Sequence, residues 1–193
     1  MKASTTLRQE FPALALVTGF ANPKMREQLA DLLLLWLEIN RARNAAESMI
    51  AAARITWWRE ALDEGKPESV PLAERLIATY PDITPITAML QQVVNITLNG
   101  GDDHQICHVM GDLWAKIFNN GQGGDDCAHI LLAFRSAMSG NALDSDLAAS
   151  LMAKPIPQPI KLIAWLAQDP KRLSYPEAQP LLPFKMMLRA IRL

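Results

Sequence analysis

The chain has 193 residues, of which 50% are apolar and 20% are charged. This length is enough for one domain with a sizeable core, and the apolar fraction excludes a disordered protein. The 19 Lys and Arg residues nearly balance the 20 Asp and Glu residues and are scattered along the chain, for a formal net charge of −1. This balance excludes the basic footprint expected of a nucleic-acid-binding protein.

Targeting signals and the number of cysteines limit which cellular compartment is expected for the protein. The first residues are charged and lack the apolar stretch of a secretory signal. The apolar run at residues 29–37 is interrupted by Asp31 and is too short to span a bilayer. Two cysteines, Cys107 and Cys127, do not make a disulfide framework in a chain of this size. We therefore expect a cytoplasmic protein.

The first part of the chain predicts three helices. Residues 22–39 place Pro23 where the first turn of a helix tolerates it and continue with apolar residues at helical spacing. Residues 44–63 form a second helical pattern, which contains two adjacent tryptophans. A shorter helix is predicted at residues 70–80 and is closed by Pro81.

The later part predicts helices that begin at a repeated sequence. Gly-Gly-Asp-Asp stands at residues 100–103 and again at residues 123–126, and an apolar run follows each. Each aspartate pair is predicted to cap its helix, because a carboxylate accepts hydrogen bonds from free amides and complements the helix dipole. Beyond residue 153, closely spaced prolines leave one further helix at residues 160–167. No segment alternates with the period of a strand, so we predict an all-α fold.

The tryptophan helix is the most informative segment. Ile50, Arg54 and Trp57 fall on one stripe of the helix, and Trp58 lies about a quarter of a turn further round. Two adjacent tryptophans cannot both face one core, so the helix is predicted to pack on two sides. If Trp57 is the core residue, Trp58 faces a second neighbour or a cavity.

The same segment resembles a helix of squalene and phytoene synthase-like proteins, which reads Ser-Glu-Pro-Met-Leu-Gly-x-x-Arg-Leu-x-Trp-Trp-Arg-x-x-Leu. The matching residues in this sequence are Glu47, Met49, Arg54, Trp57, Trp58, Arg59 and Leu62. Looser similarity lies around residues 107–118 and 129–137. The resemblance implies a single isoprenoid synthase-like domain over residues 1–193, a helical bundle around a central cavity, with a divergent, proline-rich part from about residue 154.

Catalysis in this family requires paired carboxylates. Active members join two prenyl diphosphates and hold Mg²⁺ between acids spaced one turn apart on two facing helices. The first pair is expected within residues 34–43, where Glu38 stands alone, and the second follows an arginine, but no acid pair follows Arg135 on its helix. The resemblance therefore implies a non-catalytic relative, similar to the degenerate branch that includes complex I assembly factors. We expect no catalytic residue, no metal ligand and no cofactor.

Four residues are predicted to bind a ligand. Arg54, Trp58, Arg59 and Glu38 would line the cavity and hold a prenyl or lipid-like molecule, since arginine is suited to bidentate phosphate contacts. The structural alternative is that Arg59 is solvated and the tryptophans are core. A protein partner is a further alternative, in which the chain is an assembly or structural factor with a closed core.

An active prenyl-diphosphate transferase is also an alternative. It would bind Mg²⁺ and would draw its acids from Glu38 and Glu47 on one side and from Asp125 or Asp126 on the other. Release of pyrophosphate from farnesyl diphosphate in the presence of Mg²⁺ distinguishes this alternative from a binding protein.

Two further features have both a functional and a structural interpretation. His104 and His108 are four residues apart, a spacing at which two imidazoles can share a metal ion, but no third ligand is placed by spacing, which favours solvated histidines. Residues 183–193 form a basic amphipathic segment, which is predicted either to lie on a membrane surface or to dock on the domain as a final helix.

Overall fold

The computed structural model describes residues 2–65, 70–177 and 179–191. Within these residues the chain folds into eleven α-helices and one short 3₁₀ helix, with no β-strand, which confirms the all-α prediction. The helices are α1 (Ala3–Glu10), α2 (Pro12–Thr18), α3 (Pro23–Arg43), α4 (Ser48–Asp63), α5 (Pro71–Thr79), α6 (Thr84–Leu98), α7 (Asp103–Phe118), α8 (Gly124–Met138), α9 (Ser145–Ala153), α10 (Gln158–Ala167) and α11 (Leu182–Ile191), with the 3₁₀ helix at Pro170–Ser174. No helix in the described ranges combines the length and the apolar character that crossing a membrane requires.

Helix α3 passes through the middle of the core. Its start matches the sequence prediction, because Pro23 is in the first turn and the Asn22 side chain accepts a hydrogen bond of 2.9 Å from the Met25 amide. Its end lies at Arg43 rather than at residue 39. Almost every residue from Leu29 onward is buried, since other helices surround this part of α3.

A polar network ties α3 to α7 and α8. Asp103, in the first turn of α7, pairs with Arg43 of α3 and with Arg135 of α8. Arg135 also donates to the side chain of the buried Asn40. Partial burial opposes ionisation of Asp103, but hydrogen bonds and charge from the two arginines outweigh it, so the pKa of Asp103 lies below its ordinary value.

The two Gly-Gly-Asp-Asp sequences start their helices differently. Asp102 caps α7 as predicted, within a capping box in which its side chain accepts from the Gln105 amide. The corresponding prediction for α8 is wrong: Gly123 is the capping residue, at a φ of 78°, and no side chain caps the helix. Asp125 and Asp126 instead lie in the first turn.

Several boundaries and helices differ from the sequence prediction. Helix α4 begins at Ser48, because residues 44–47 connect it to α3. The patterns did not single out α1, α2, α6 and α9. One connected apolar core draws buried residues from helices throughout the chain, from Ala3 to Ala190. The isoprenoid synthase-like arrangement and its central cavity stay predictions.

Candidate functional site

A surface groove lies between α3 and α4. It has a volume of about 450 Å³. The residues that line it are Glu38 and Ala42 of α3 and Ile50, Ala53, Arg54, Trp57 and Trp58 of α4. We call this the tryptophan groove. Three of the four predicted ligand-binding residues, Glu38, Arg54 and Trp58, therefore line one groove.

The two tryptophans have the opposite roles to those considered from the sequence. Trp58 is the core residue, with 8% of its surface exposed, whereas Trp57 is 48% exposed. Their rings touch edge to face, with centroids 5.3 Å apart. The stripe of Ile50, Arg54 and Trp57 faces solvent because Trp58, Ile55 and Leu62 supply the buried face of α4.

Of the two charged residues that line the tryptophan groove, Glu38 has an ion-pair partner and Arg54 has none among the described residues. Glu38 is paired with Arg41 one turn further along α3, and Arg41 also pairs with Glu10 of α1 at 3.0 Å. Arg54 is exposed and has no ion pair or side-chain hydrogen bond among the described residues. The groove thus offers a cation whose charge is not offset by a neighbouring carboxylate.

Arg59, the fourth predicted ligand-binding residue, does not line this groove. Its guanidinium donates a hydrogen bond of 2.8 Å to the Gln91 side chain on α6, and it lies 3.3 Å from Glu60. It is half-buried at the contact between α4 and α6 and is neither solvated nor placed beside Arg54. Arg54 and Arg59 are only five residues apart in the sequence, but they project from different sides of the helix.

A second groove, of about 330 Å³, adjoins the first. Glu38 and Trp58 line both grooves and form the wall between them. The other lining residues come from α1, α3, α5 and the residue before α5: Thr6, Glu10, Leu34, Val70, Pro71, Leu72 and Arg75. The sequence analysis did not identify Arg75, whose position follows only from the packing of α5 on α3.

The side chain of Arg75 is fixed by an ion pair with the buried carboxylate of Asp31. Its Nε donates a hydrogen bond of 3.0 Å to Asp31, and Thr79 donates to the other carboxylate oxygen at 3.3 Å. Burial raises the pKa of Asp31 above its ordinary value of 3.8, although the hydrogen bond and the charge of Arg75 lower it. Burial, with the Asp31 charge, also raises the pKa of Tyr80, whose hydroxyl donates to the Gln28 carbonyl.

The acids required by the transferase alternative lie in different surroundings. Asp125 contacts His108 at 3.2 Å and Asp126 lies 3.7 Å from Lys154, and neither residue lines either groove. Glu47 is the exposed residue that precedes α4. The residues of the grooves therefore bring together two carboxylates, Glu10 and Glu38, which are both paired with Arg41, with apolar side chains and arginines.

Comparison with known proteins leaves the family resemblance as a prediction from the residues alone. No model of a protein family matches the chain. No curated protein and no solved structure matches it either.

Proposed function

We propose that this protein is a non-catalytic binding protein that holds a prenyl or lipid-like molecule in the tryptophan groove. The observation that carries the proposal is the exposure of Trp57 and Ile50, at 48% and 45%, in a groove instead of in the core. Large apolar side chains gathered on one exposed face mark binding surfaces. The volume of the groove falls within the range of about 300–1,000 Å³ that is typical of small-molecule sites.

The groove favours an amphipathic ligand with an anionic head. Trp57, Trp58 and Ile50 offer apolar area to a hydrocarbon chain. Arg54 offers planar donors that match a phosphate or carboxylate. Because Arg41 offsets the charge of Glu38, the one acid among the described lining residues, an anionic head at Arg54 meets little repulsion.

The same groove argues against the transferase alternative. Ionising a prenyl diphosphate needs Mg²⁺ between carboxylates that project to one side. Glu38 is already paired with Arg41, and Asp125 and Asp126 line neither groove. A protein partner on the face of Met49, Ile50 and Trp57 is the alternative occupant of the surface.

A peripheral membrane contact is a second candidate, and helix α11 favours it. Leu182 and Met186 dock this helix on the core, whereas its outer side is exposed and apolar beside Lys185. The exposed apolar residues of this segment are Leu181, Phe184, Met187, Leu188 and Ile191. We propose that this face lets a cytoplasmic protein lie on a membrane surface.

The test of the groove uses two ligands with the same chain and different heads. Farnesol and farnesyl monophosphate are titrated against a bound fluorescent fatty-acid reporter, and both should displace it. Trp57→Ala should weaken both ligands roughly tenfold or more, since burying a large apolar side chain stabilises a complex by about 1.5–3 kcal/mol. Arg54→Ala should weaken only the phosphate, because the alcohol makes no charge-assisted contact.

Matched variants separate the groove from general surface effects. Ile50→Ser should weaken both ligands, whereas Leu147→Ser on α9, where the native side chain is equally exposed at 45%, should leave both affinities unchanged. Equal affinities for the wild type and the Trp57 and Ile50 variants would contradict the proposal. Pyrophosphate release from farnesyl diphosphate with Mg²⁺, above the level of a heat-denatured sample, would favour the transferase.

A further inference from the structure

All three histidines of the chain meet on one face of the α7–α8 pair. The rings of His104 and His108, both on α7, have centroids 4.5 Å apart. His129 of α8 lies 6.3 Å from each of them. The third imidazole, which sequence spacing does not place, thus comes from the neighbouring helix.

A carboxylate completes the group. Asp125 is one turn before His129 on α8, and its Oδ1 lies 3.2 Å from Nδ1 of His108. Each helix therefore contributes two side chains at i, i+4, a spacing that puts them on the same helix face. Imidazole and carboxylate are the ligands that zinc takes in proteins alongside thiolate.

Close packing of the two helices brings these four side chains together. A Cβ atom on Gly111 of α7 would lie 2.5 Å from the Gly124 carbonyl oxygen and 2.6 Å from the Ala128 amide nitrogen. The two backbones therefore approach within a distance that only glycine permits at this point. His108 and Asp125 lie within one turn of the contact, so their side chains meet across it.

The backbone that carries the first histidine is held firmly. The capping box of Asp102 and Gln105 fixes the start of α7 through hydrogen bonds of 3.0 and 3.1 Å. Asp103 is anchored to Arg43 and Arg135. His104 follows directly, so its position relative to α8 is set by contacts on both sides of the helix start.

The ring separations of 4.5 and 6.3 Å lie on either side of the value for imidazoles that share one ion. At Zn–N distances of about 2.0–2.1 Å, two rings bound to the same zinc have centroids roughly 5 Å apart. In the conformation described, no three His, Cys, Asp or Glu side chains of the described residues are arranged to hold a metal ion. We expect rotation of the side chains, which exposed residues undergo within nanoseconds, to bring the four ligands together.

We propose that His104, His108 and His129, with Asp125 as the fourth ligand, form a zinc-binding site that joins α7 to α8. The site is separate from the tryptophan groove and does not depend on the ligand proposed there. Bound zinc would hold together two helices that already contact each other closely at Gly111. The cysteines are not ligands, because the side chains of Cys107 and Cys127 are buried in the core.

The test titrates the tag-free chain with Zn²⁺ alone, by calorimetry and by thermal unfolding. We expect one ion per chain and a rise of several degrees in Tm, because an ion that binds only the folded state stabilises it by mass action. Co²⁺ should give the intense visible absorption of a tetrahedral site. Mg²⁺, which prefers oxygen ligands, should leave Tm unchanged.

Single substitutions identify which side chains bind the zinc ion. His108→Ala and His129→Ala remove one imidazole from each helix and should each lower the zinc affinity at least tenfold. Asp126→Asn is the matched control, because Asp126 is in the same turn as Asp125 but faces Lys154. Circular dichroism of each variant confirms that it is folded, as expected for substitutions on exposed or half-buried positions. The absence of zinc binding by the wild type, or wild-type affinity in either histidine variant, overturns the proposal.

Discussion

Asp31 is a charged residue in the middle of the most apolar stretch of α3, and its side chain is 1% exposed. In the sequence it only interrupted a hydrophobic run. In the structure it accepts hydrogen bonds from Arg75 and Thr79 of α5 and thereby fixes the arginine at the edge of the second groove. A buried ion pair of this kind positions its partners, and breaking it leaves an uncompensated charge.

Removal of Arg75 should reveal that charge. Arg75→Ala should lower the free energy of unfolding by about 3–5 kcal/mol at neutral pH, where Asp31 would be left ionised and unpaired. Without the arginine, the folded-state pKa of Asp31 rises further above its ordinary value of 3.8. The folded state then binds the proton more tightly than the unfolded state, so stability is lost as pH rises through the folded pKa and is regained on acidification.

Urea unfolding of the wild type and the variant across this pH range measures the effect. The difference between them should shrink as the pH falls toward the ordinary pKa of the carboxyl. Arg54→Ala is the control, since it removes the same side chain from an exposed position and should change stability by less than about 0.5 kcal/mol at every pH. A difference independent of pH would show that Asp31 is not the group responsible.

Particular residues also show what the sequence could not predict. The helical spacing placed Ile50, Arg54 and Trp57 on one stripe correctly, but periodicity does not say which stripe faces the core. Trp58 is buried because α4 turns that side toward its neighbours, and only the assembled helices decide this. Arg59 lies outside the predicted site for the same reason: its side of α4 faces α6, where it donates a hydrogen bond to Gln91.

At the scale of elements, start signals located some helices but not all, since α9 was not predicted although the Asp144 side chain caps it. Asn22 with Pro23 and the Asp102 capping box located α3 and α7. Helix α6 has no side-chain cap and is rich in β-branched residues, which have a lower intrinsic preference for helix. These residues are Thr84, Ile86, Thr87, Val93, Val94, Ile96 and Thr97. Helix α6 packs against both α4 and α7, and these tertiary contacts compensate for its low intrinsic helix preference.

The contact between α7 and α8 should be sensitive to a single methyl group. Alanine normally stabilises a helix relative to glycine by up to about 1 kcal/mol. Gly111→Ala should instead destabilise the protein by about 1–3 kcal/mol, because the new Cβ meets backbone atoms of α8 that cannot move aside independently. Thermal and urea unfolding measure the change.

Gly19→Ala is the matched control for this effect. Gly19 ends α2 at a φ of −61°, which any residue adopts, and a Cβ there has its nearest neighbour at 3.1 Å, the Leu16 carbonyl oxygen of its own turn. That substitution should be neutral or slightly stabilising. Equal effects at the two glycines would mean that the α7–α8 approach is looser than the structure indicates.

For the whole molecule, the residue patterns predicted the fold class and left the arrangement open. The all-α fold followed from helical spacing and turn signals, and three of the four expected site residues share a groove. The meeting of His129 with His104 could not be predicted, because it joins residues from two helices through a packing contact at Gly111. The family resemblance concerned mainly one helix, and a single helix does not determine how eleven pack.

Association of the whole protein with a membrane is the last prediction. Flotation with vesicles that contain anionic phosphatidylglycerol should carry the wild type upward, and more salt should weaken its binding, because the exposed Lys185 lies beside the exposed apolar side of α11. Phe184→Asp should reduce binding roughly tenfold, since Phe184 is 57% exposed and would bury its ring among the lipids.

Leu147→Asp on α9 is the control, because it places the same charge on another exposed apolar residue and should leave flotation unchanged. Equal flotation of the Phe184 variant and the wild type would mean that α11 serves only to cover the core through Leu182 and Met186.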